Sequence, residues 1–181
     1  DLHVRSRRQR QMCIRDSGGS LRVFCTHSEN KKIEIKDSVN NLLKLEREKG
    51  MMEIPYYQNF SKKVIGSINQ FTDFCNQMKK EGKIIVGYGA PAKANTLLNC
   101  CGVNQDTIEY VVDLSPHKQG LYLPGSHIHI KSPEEIKKLK PDFVIIFPWN
   151  LKEEIMKQIQ FIRNWGGKFV IPIPKLQIID K

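Results

Sequence analysis

The chain holds 181 residues, 40% of them hydrophobic and 27% charged, with a formal charge of +10. That length suits one domain and a little more. No apolar run reaches the roughly 18 residues of a membrane-spanning helix, and the basic opening residues lack the apolar stretch and cleavage site of a secretory signal, so a cytoplasmic setting is expected.

A basic surface can attract nucleic acid, membranes or phosphorylated metabolites. Residues 1–16 carry five Arg and two Asp, which places +3 of the charge there; the rest is spread over lysine-rich helices. No basic cluster is interleaved with aromatics and no nucleic-acid-binding motif appears. Neither nucleic acid nor membrane is expected as a partner, and a solvated lysine face is the plain reading. The five cysteines form no C-x-x-C pair. An odd count without such spacing argues against a disulfide framework or a zinc site here, so no metal ligands are expected.

Residues 1–17 differ in composition from the remainder of the chain. After residue 16 only Arg22, Arg47 and Arg163 occur, and QMCIRDS resembles translated adapter sequence. This segment is expected to be non-native or a disordered basic tail. Residues 18–26 alternate apolar and polar after Gly18-Gly19, with Leu21, Val23 and Cys25 on one face, as in a half-buried strand. Val39, Leu42, Leu43 and Glu46 recur at helical spacing over 38–49, closed by Gly50. Pro55 then breaks the chain. Phe60, Val64, Ile68, Phe71, Phe74 and Met78 mark a long amphipathic helix over 56–80, suited to bracing two domains.

From residue 83 the pattern changes. KIIVGYG (83–89) is a β-branched run ending in glycines, and APAKANTLLNCC (90–101) reads as a helix with Pro91 near its first turn. TIEYVVD (107–113) is a second strand, SHIHI (126–130) a short third, PEEIKKL (133–139) a short helix and DFVIIFP (142–148) a fourth strand. Ile155, Ile159 and Ile162 predict an amphipathic helix over 151–164, and KFVIPIP (168–174) a final strand. Apolar strands alternating with helices predict an α/β fold: a Rossmann-like parallel sheet with helices on both faces, preceded by a strand and a long bracing helix. The expected division is 1–17 set aside, 18–82 as the remnant of an upstream domain and linker, and 83–181 as the C-terminal domain.

The first candidate site is Gly87-Tyr88-Gly89-Ala90-Pro91-Ala92, a G-x-G-x-x-A string between strand and helix. The first glycine permits a tight turn, the second lets a phosphate approach the backbone, and the small third residue lets helix and strand pack closely. A helix N-terminus offers N–H groups to an anion, and Lys93 and Asn95 could reach the same group. Asp113 ends the next strand, about where an acid contacts ribose in such folds. A tight turn that binds nothing is the alternative.

A second candidate is the loop with His117, Lys118 and Gln119, beyond the carboxyl end of the second strand; a rigid connection is its alternative. His117 is not assigned as a general base from spacing alone, and no catalytic residue is assigned. The third is Phe147-Pro148-Trp149-Asn150. Trp149 could stack on a base or sugar, while Asn150 is expected to cap the following helix and Trp165 to pack at a helix end. His127 and His129 share a strand face with no carboxylate or thiol to complete a metal set.

The strings GGSLRVF (18–24), GYGAPAKANTLLN (87–99), VVDLSPHKQGLYLPGSHI (111–128), PDFVIIFPWNLKEEI (141–155) and WGGKFVIPIPKLQII (165–179) resemble the C-terminal domain of C-methyltransferases acting on nucleotide-activated keto sugars. The resemblance implies a plan in which a zinc-binding segment and a domain for S-adenosylmethionine, both upstream of this chain, precede a second Rossmann-like domain that helps hold the nucleotide sugar. It also implies a route: proton removal beside a ketone at the sugar's C3, then attack of the enolate on the methyl group, which needs a base and support for the enolate oxygen.

Members commonly carry a histidine directly before the GGSLR string; Ser17 stands there instead. With the cofactor domain absent, this chain alone is expected to be inactive. The resemblance implies Gly89, Ala90, Pro91, Lys93, Asn95, His117 and Lys118 as contacts of the nucleotide diphosphate sugar; the residue patterns above add Gly87, Asp113 and Trp149 as further substrate-binding candidates. Two other readings stay open: a NAD(P)-binding oxidoreductase module, and a structural domain that binds nothing.

Overall fold

The computed structural model describes residues 25–27, 29–30 and 36–180. The expected strand at 18–26 lies mostly outside them; residues 25 and 26 carry no regular structure. The chain divides into two compact units, residues 1–63 and 64–181. The division falls inside the long helix.

In the first unit, α1 (Asp37–Glu48) ends as Gly50 turns the backbone at φ 72°. α1 buries none of its residues. α2 spans Ile54–Lys80 and contains Pro55 rather than starting after it. A proline in the first helical turn lacks only an N–H that would be unpaired there anyway. Met52, Ile54 and Phe60 are largely exposed.

The second unit begins with the remainder of α2, whose Phe71, Phe74, Cys75 and Met78 enter the core. Then come β1 (Ile85–Tyr88), α3 (Ala92–Cys101), β2 (Val111–Val112), β3 (Ile130–Lys131), α4 (Glu135–Leu139), β4 (Phe143–Ile146), α5 (Lys152–Gln158), β5 (Lys168–Ile171) and β6 (Gln177–Ile179). Six strands form one sheet in the order β3-β2-β1-β4-β5-β6. All neighbours run parallel except β6, which is antiparallel to β5. This is a Rossmann-like arrangement in which strand order reverses between β1 and β4.

Both faces of the sheet are buried, and period-two alternation sorts the side chains. Ile85, Val111, Phe143, Ile145 and Val170 meet α2 and α3 on one face. Val86, Tyr88, Val112, Val144, Ile146 and Phe169 meet Ile136 of α4 and Ile155 of α5 on the other. α3 stops at Gly102, whose φ of 62° few other residues adopt readily, and Val103 N–H closes onto Leu98 O at 3.0 Å.

Four expected elements differ. The second strand shrinks to Val111–Val112, because residues 104–107 turn on themselves before Glu109 N–H reaches Ile85 O. SHIHI is not one strand: His127 sits in a turn at φ 56°, while His129 forms a bridge to Tyr122 and stacks on its ring, so the two histidines do not alternate along a strand. The helix at 151–164 is three pieces, a 3-10 turn (Trp149–Leu151), α5 and a second 3-10 stretch (Gln160–Trp165), which still bury Ile155, Ile159 and Ile162. KFVIPIP is not the last strand, since β6 returns beside β5.

No helix occurs between β2 and β3. Instead the chain from 113 to 129 loops outward and comes back as a short antiparallel pair, with Gly120 N–H to Ile130 O, Ile130 N–H to Leu121 O and Leu123 N–H to Ile128 O.

Candidate functional site

The carboxyl ends of β1, β2 and β4 meet at the point of strand reversal, where open α/β sheets bind their ligands. The glycine turn after β1 is shaped by close packing. A Cβ on Gly87 would stand 2.5 Å from Phe147 Cε2 and 2.8 Å from Val111 Cγ2. Gly87 therefore makes room for the Phe147 ring within the core. Gly89 has φ +84°, and a Cβ there would meet Pro148 Cγ at 2.5 Å. Its N–H donates to Val112 O at 2.6 Å.

Ala90 is buried, and its N–H donates to Asp113 Oδ2 at 2.7 Å. Pro91 precedes α3 in an extended conformation. The other Asp113 oxygen accepts from Ser115 N–H at 2.9 Å. Lys118 Nζ donates to Asp113 Oδ2 at 3.2 Å and to Ala90 O at 3.1 Å, and Gln119 Nε2 donates to Asp113 O at 2.9 Å. The sequence suggested an acid for ribose; the structure puts that carboxylate, 13% exposed, on the turn itself. Gln119 was legible only as a polar loop residue.

On the β4 side, Lys93 Nζ donates to Asn150 Oδ1 and lies 4.4 Å from the centroid of the Trp149 ring. A cation over an indole face is attracted by the ring quadrupole, by about 0.5–1 kcal/mol when exposed. Asn150 was expected to cap α5, but no side chain caps that helix; Asn150 sits within the preceding 3-10 turn and engages Lys93. Trp149 packs against the second core cluster and is half-buried. Trp165 does pack at a helix end, donating its indole N–H to Pro141 O at 3.0 Å.

Asn95 lies one turn into α3, and its Oδ1 is buried without a hydrogen-bond partner. His117 is exposed on the outer loop. Lys93, Trp149 and Asn150 thus converge, and Lys118 joins Asp113 and Ala90 on the β2 side of the same turn. Tyr88, between the two glycines, was not singled out. It points to the opposite face and donates to Gln158 Oε1 at 3.0 Å; burial, then the Asp113 and Glu154 charges, push its phenol above the usual range.

Among the described residues no group of three or more His, Cys, Asp or Glu side chains could hold a metal ion, so the residues present do not fit zinc. They do not fit an adenosine cofactor cradle either, because the acid and amide that would grip it grip each other. No chemical step is derived through either group.

Fold and site together define a doubly wound α/β domain with a candidate ligand site at its strand reversal. Residues 15–174 match the family described as C-methyltransferase C-terminal domain. The chain is also 34% identical over 164 residues to the C-methyltransferase NovU of Streptomyces niveus, an overlap covering 90% of this chain and 39% of that protein. The chain belongs to the C-methyltransferase C-terminal domain family, and it spans about two-fifths of the length of that relative.

Proposed function

We propose that this domain holds the nucleotide diphosphate sugar for an S-adenosylmethionine-dependent methyltransferase that alkylates C3 of a 4-keto sugar. The observation that carries the reading is the convergence of Lys93, Trp149 and Asn150 at the carboxyl ends of β1 and β4. Trp149 offers a planar face for a base or sugar. Lys93 and Lys118 supply the positive charge a diphosphate needs, and Asn95 and His117 supply polar groups near the two loops. Family membership and the likeness to a C-methyltransferase support the reaction class.

S-adenosylmethionine would supply the methyl group from outside residues 83–181, which form the substrate half of the site. A cytoplasmic setting and a solvated lysine surface complete the proposal; no described helix is long and apolar enough to cross a membrane. Against a NAD(P) module stands the Asp113 carboxylate, whose oxygens already accept from Ala90, Ser115 and Lys118.

Isothermal titration of the chain with a thymidine diphosphate sugar, NAD and S-adenosylmethionine tests the reading. Heat from the sugar nucleotide alone is the expected result. Binding of NAD in its place would replace the proposal with the oxidoreductase module.

A further inference from the structure

We infer that Asp113 is a specificity-determining residue: its carboxylate stands where a ligand phosphate would bond at the glycine turn and bars pyrophosphate and dinucleotides from it. In strand–turn–helix units of this kind, the pyrophosphate is held by backbone N–H groups at the turn and the helix start. Here the Gly89 N–H is taken by Val112 O at 2.6 Å, the Ala90 N–H by Asp113 Oδ2 at 2.7 Å, and Pro91 has none.

The carboxylate is not free to swing away. Ser115 N–H holds its second oxygen, Lys118 bonds it and Ala90 O together, and Gln119 fixes the Asp113 carbonyl. A second observation is independent of these bonds. The gap that Gly89 leaves, through which a phosphate would approach the backbone, is filled by the Pro148 ring. An anion arriving at residues 89–91 therefore meets a fixed carboxylate and a proline instead of backbone donors, and the Lys118 ammonium there is already shared between Asp113 and Ala90 O. The diphosphate of a sugar nucleotide is left to ammonium groups. This inference does not rest on the proposed substrate, because it concerns which anions the turn refuses.

The test tracks the Ala90 amide by nitrogen–proton NMR in the purified chain during titration with inorganic pyrophosphate and with NAD. In the unaltered chain no saturable Ala90 shift is expected with either. Asp113→Ala, which takes the acceptor away from the Ala90 N–H, is expected to gain at least about tenfold in pyrophosphate affinity with a saturable Ala90 shift, while Lys118→Met gains nothing. A saturable Ala90 shift in the unaltered chain, or a folded Asp113→Ala that binds no better, overturns the inference. If Asp113→Ala fails to fold, the titration of the unaltered chain decides alone. A sugar nucleotide that fails to bind leaves this result readable.

Discussion

The Pro148 ring occupies the space where a side chain on Gly89 would begin, 2.5 Å from the Cβ position. The contact joins the end of β1 to the end of β4, so the glycine is a packing requirement as well as a conformational one. Gly89→Ala adds a methyl group into the ring and asks alanine to adopt φ +84°. The expected loss is about 2–4 kcal/mol, from left-handed backbone strain and overpacking together. Urea unfolding followed by circular dichroism measures it; a midpoint equal to that of the unaltered chain would refute the tight contact.

Lys93 and Trp149 act differently on a ligand, and their variants separate. Lys93→Ala is expected to weaken sugar-nucleotide binding by about tenfold and to flatten its salt dependence, since a point charge is screened over roughly 10 Å at 0.1 M salt. Trp149→Ala is expected to lower affinity while leaving the salt slope in place. Titrations at three ionic strengths read both; an unchanged Kd in Lys93→Ala removes that residue from the site.

Asp142 links the start of β1 to the start of β4. Burial pushes its carboxyl up, but the Ile84 N–H at 2.9 Å and the Lys83 ammonium at 3.2 Å outweigh this and hold it below its ordinary value. A carboxyl depressed in the folded state adds stability above its unfolded value, roughly 3.9, and loses it as pH falls through the lower folded value. Asp142→Asn should therefore be less stable at neutral pH, with the gap closing in acid. Melting temperatures between pH 2 and 7 check it; the pair is partly exposed, so the effect is small.

The cysteines among the described residues divide by burial. Cys25 and Cys100 are exposed, whereas Cys75 is fully buried and Cys101 nearly so. Burial, with the neighbouring Cys101 adding to it, pushes the Cys75 thiol up to about 12, so it carries almost no thiolate at neutral pH. A disulfide reagent is expected to label Cys25 and Cys100 in the native chain, and Cys75 and Cys101 only after unfolding. Peptide mapping after a short exposure gives the answer.

The sheet was legible because its strands are β-branched runs buried on both faces, and no surface periodicity confuses them. The glycine turn and the meeting of the three loops followed from where those strands end. What escaped the sequence depends on partners distant along the chain. Asn150 has the chemistry of a helix cap, and only the approach of Lys93, 57 positions earlier, turns it elsewhere. Asp113 sits where an acid contacts a sugar ring, yet the absence of a helix after β2 lets the chain fold the 115–119 loop back onto it. β6 lacks a strong strand signal because Gln177 and Ile178 are exposed, and its pairing comes from β5.

The rims of the sheet bear on how molecules meet at high concentration. Beyond β3, residues 121–123 already use the backbone of 128–130, and beyond β5 the antiparallel β6 runs for just three residues. Unpaired strand margins invite intermolecular strand addition and fibril growth, and short or hemmed margins deny it a template. Among the described residues, two small pieces of chain thus leave the sheet no long open margin for edge-to-edge polymerisation.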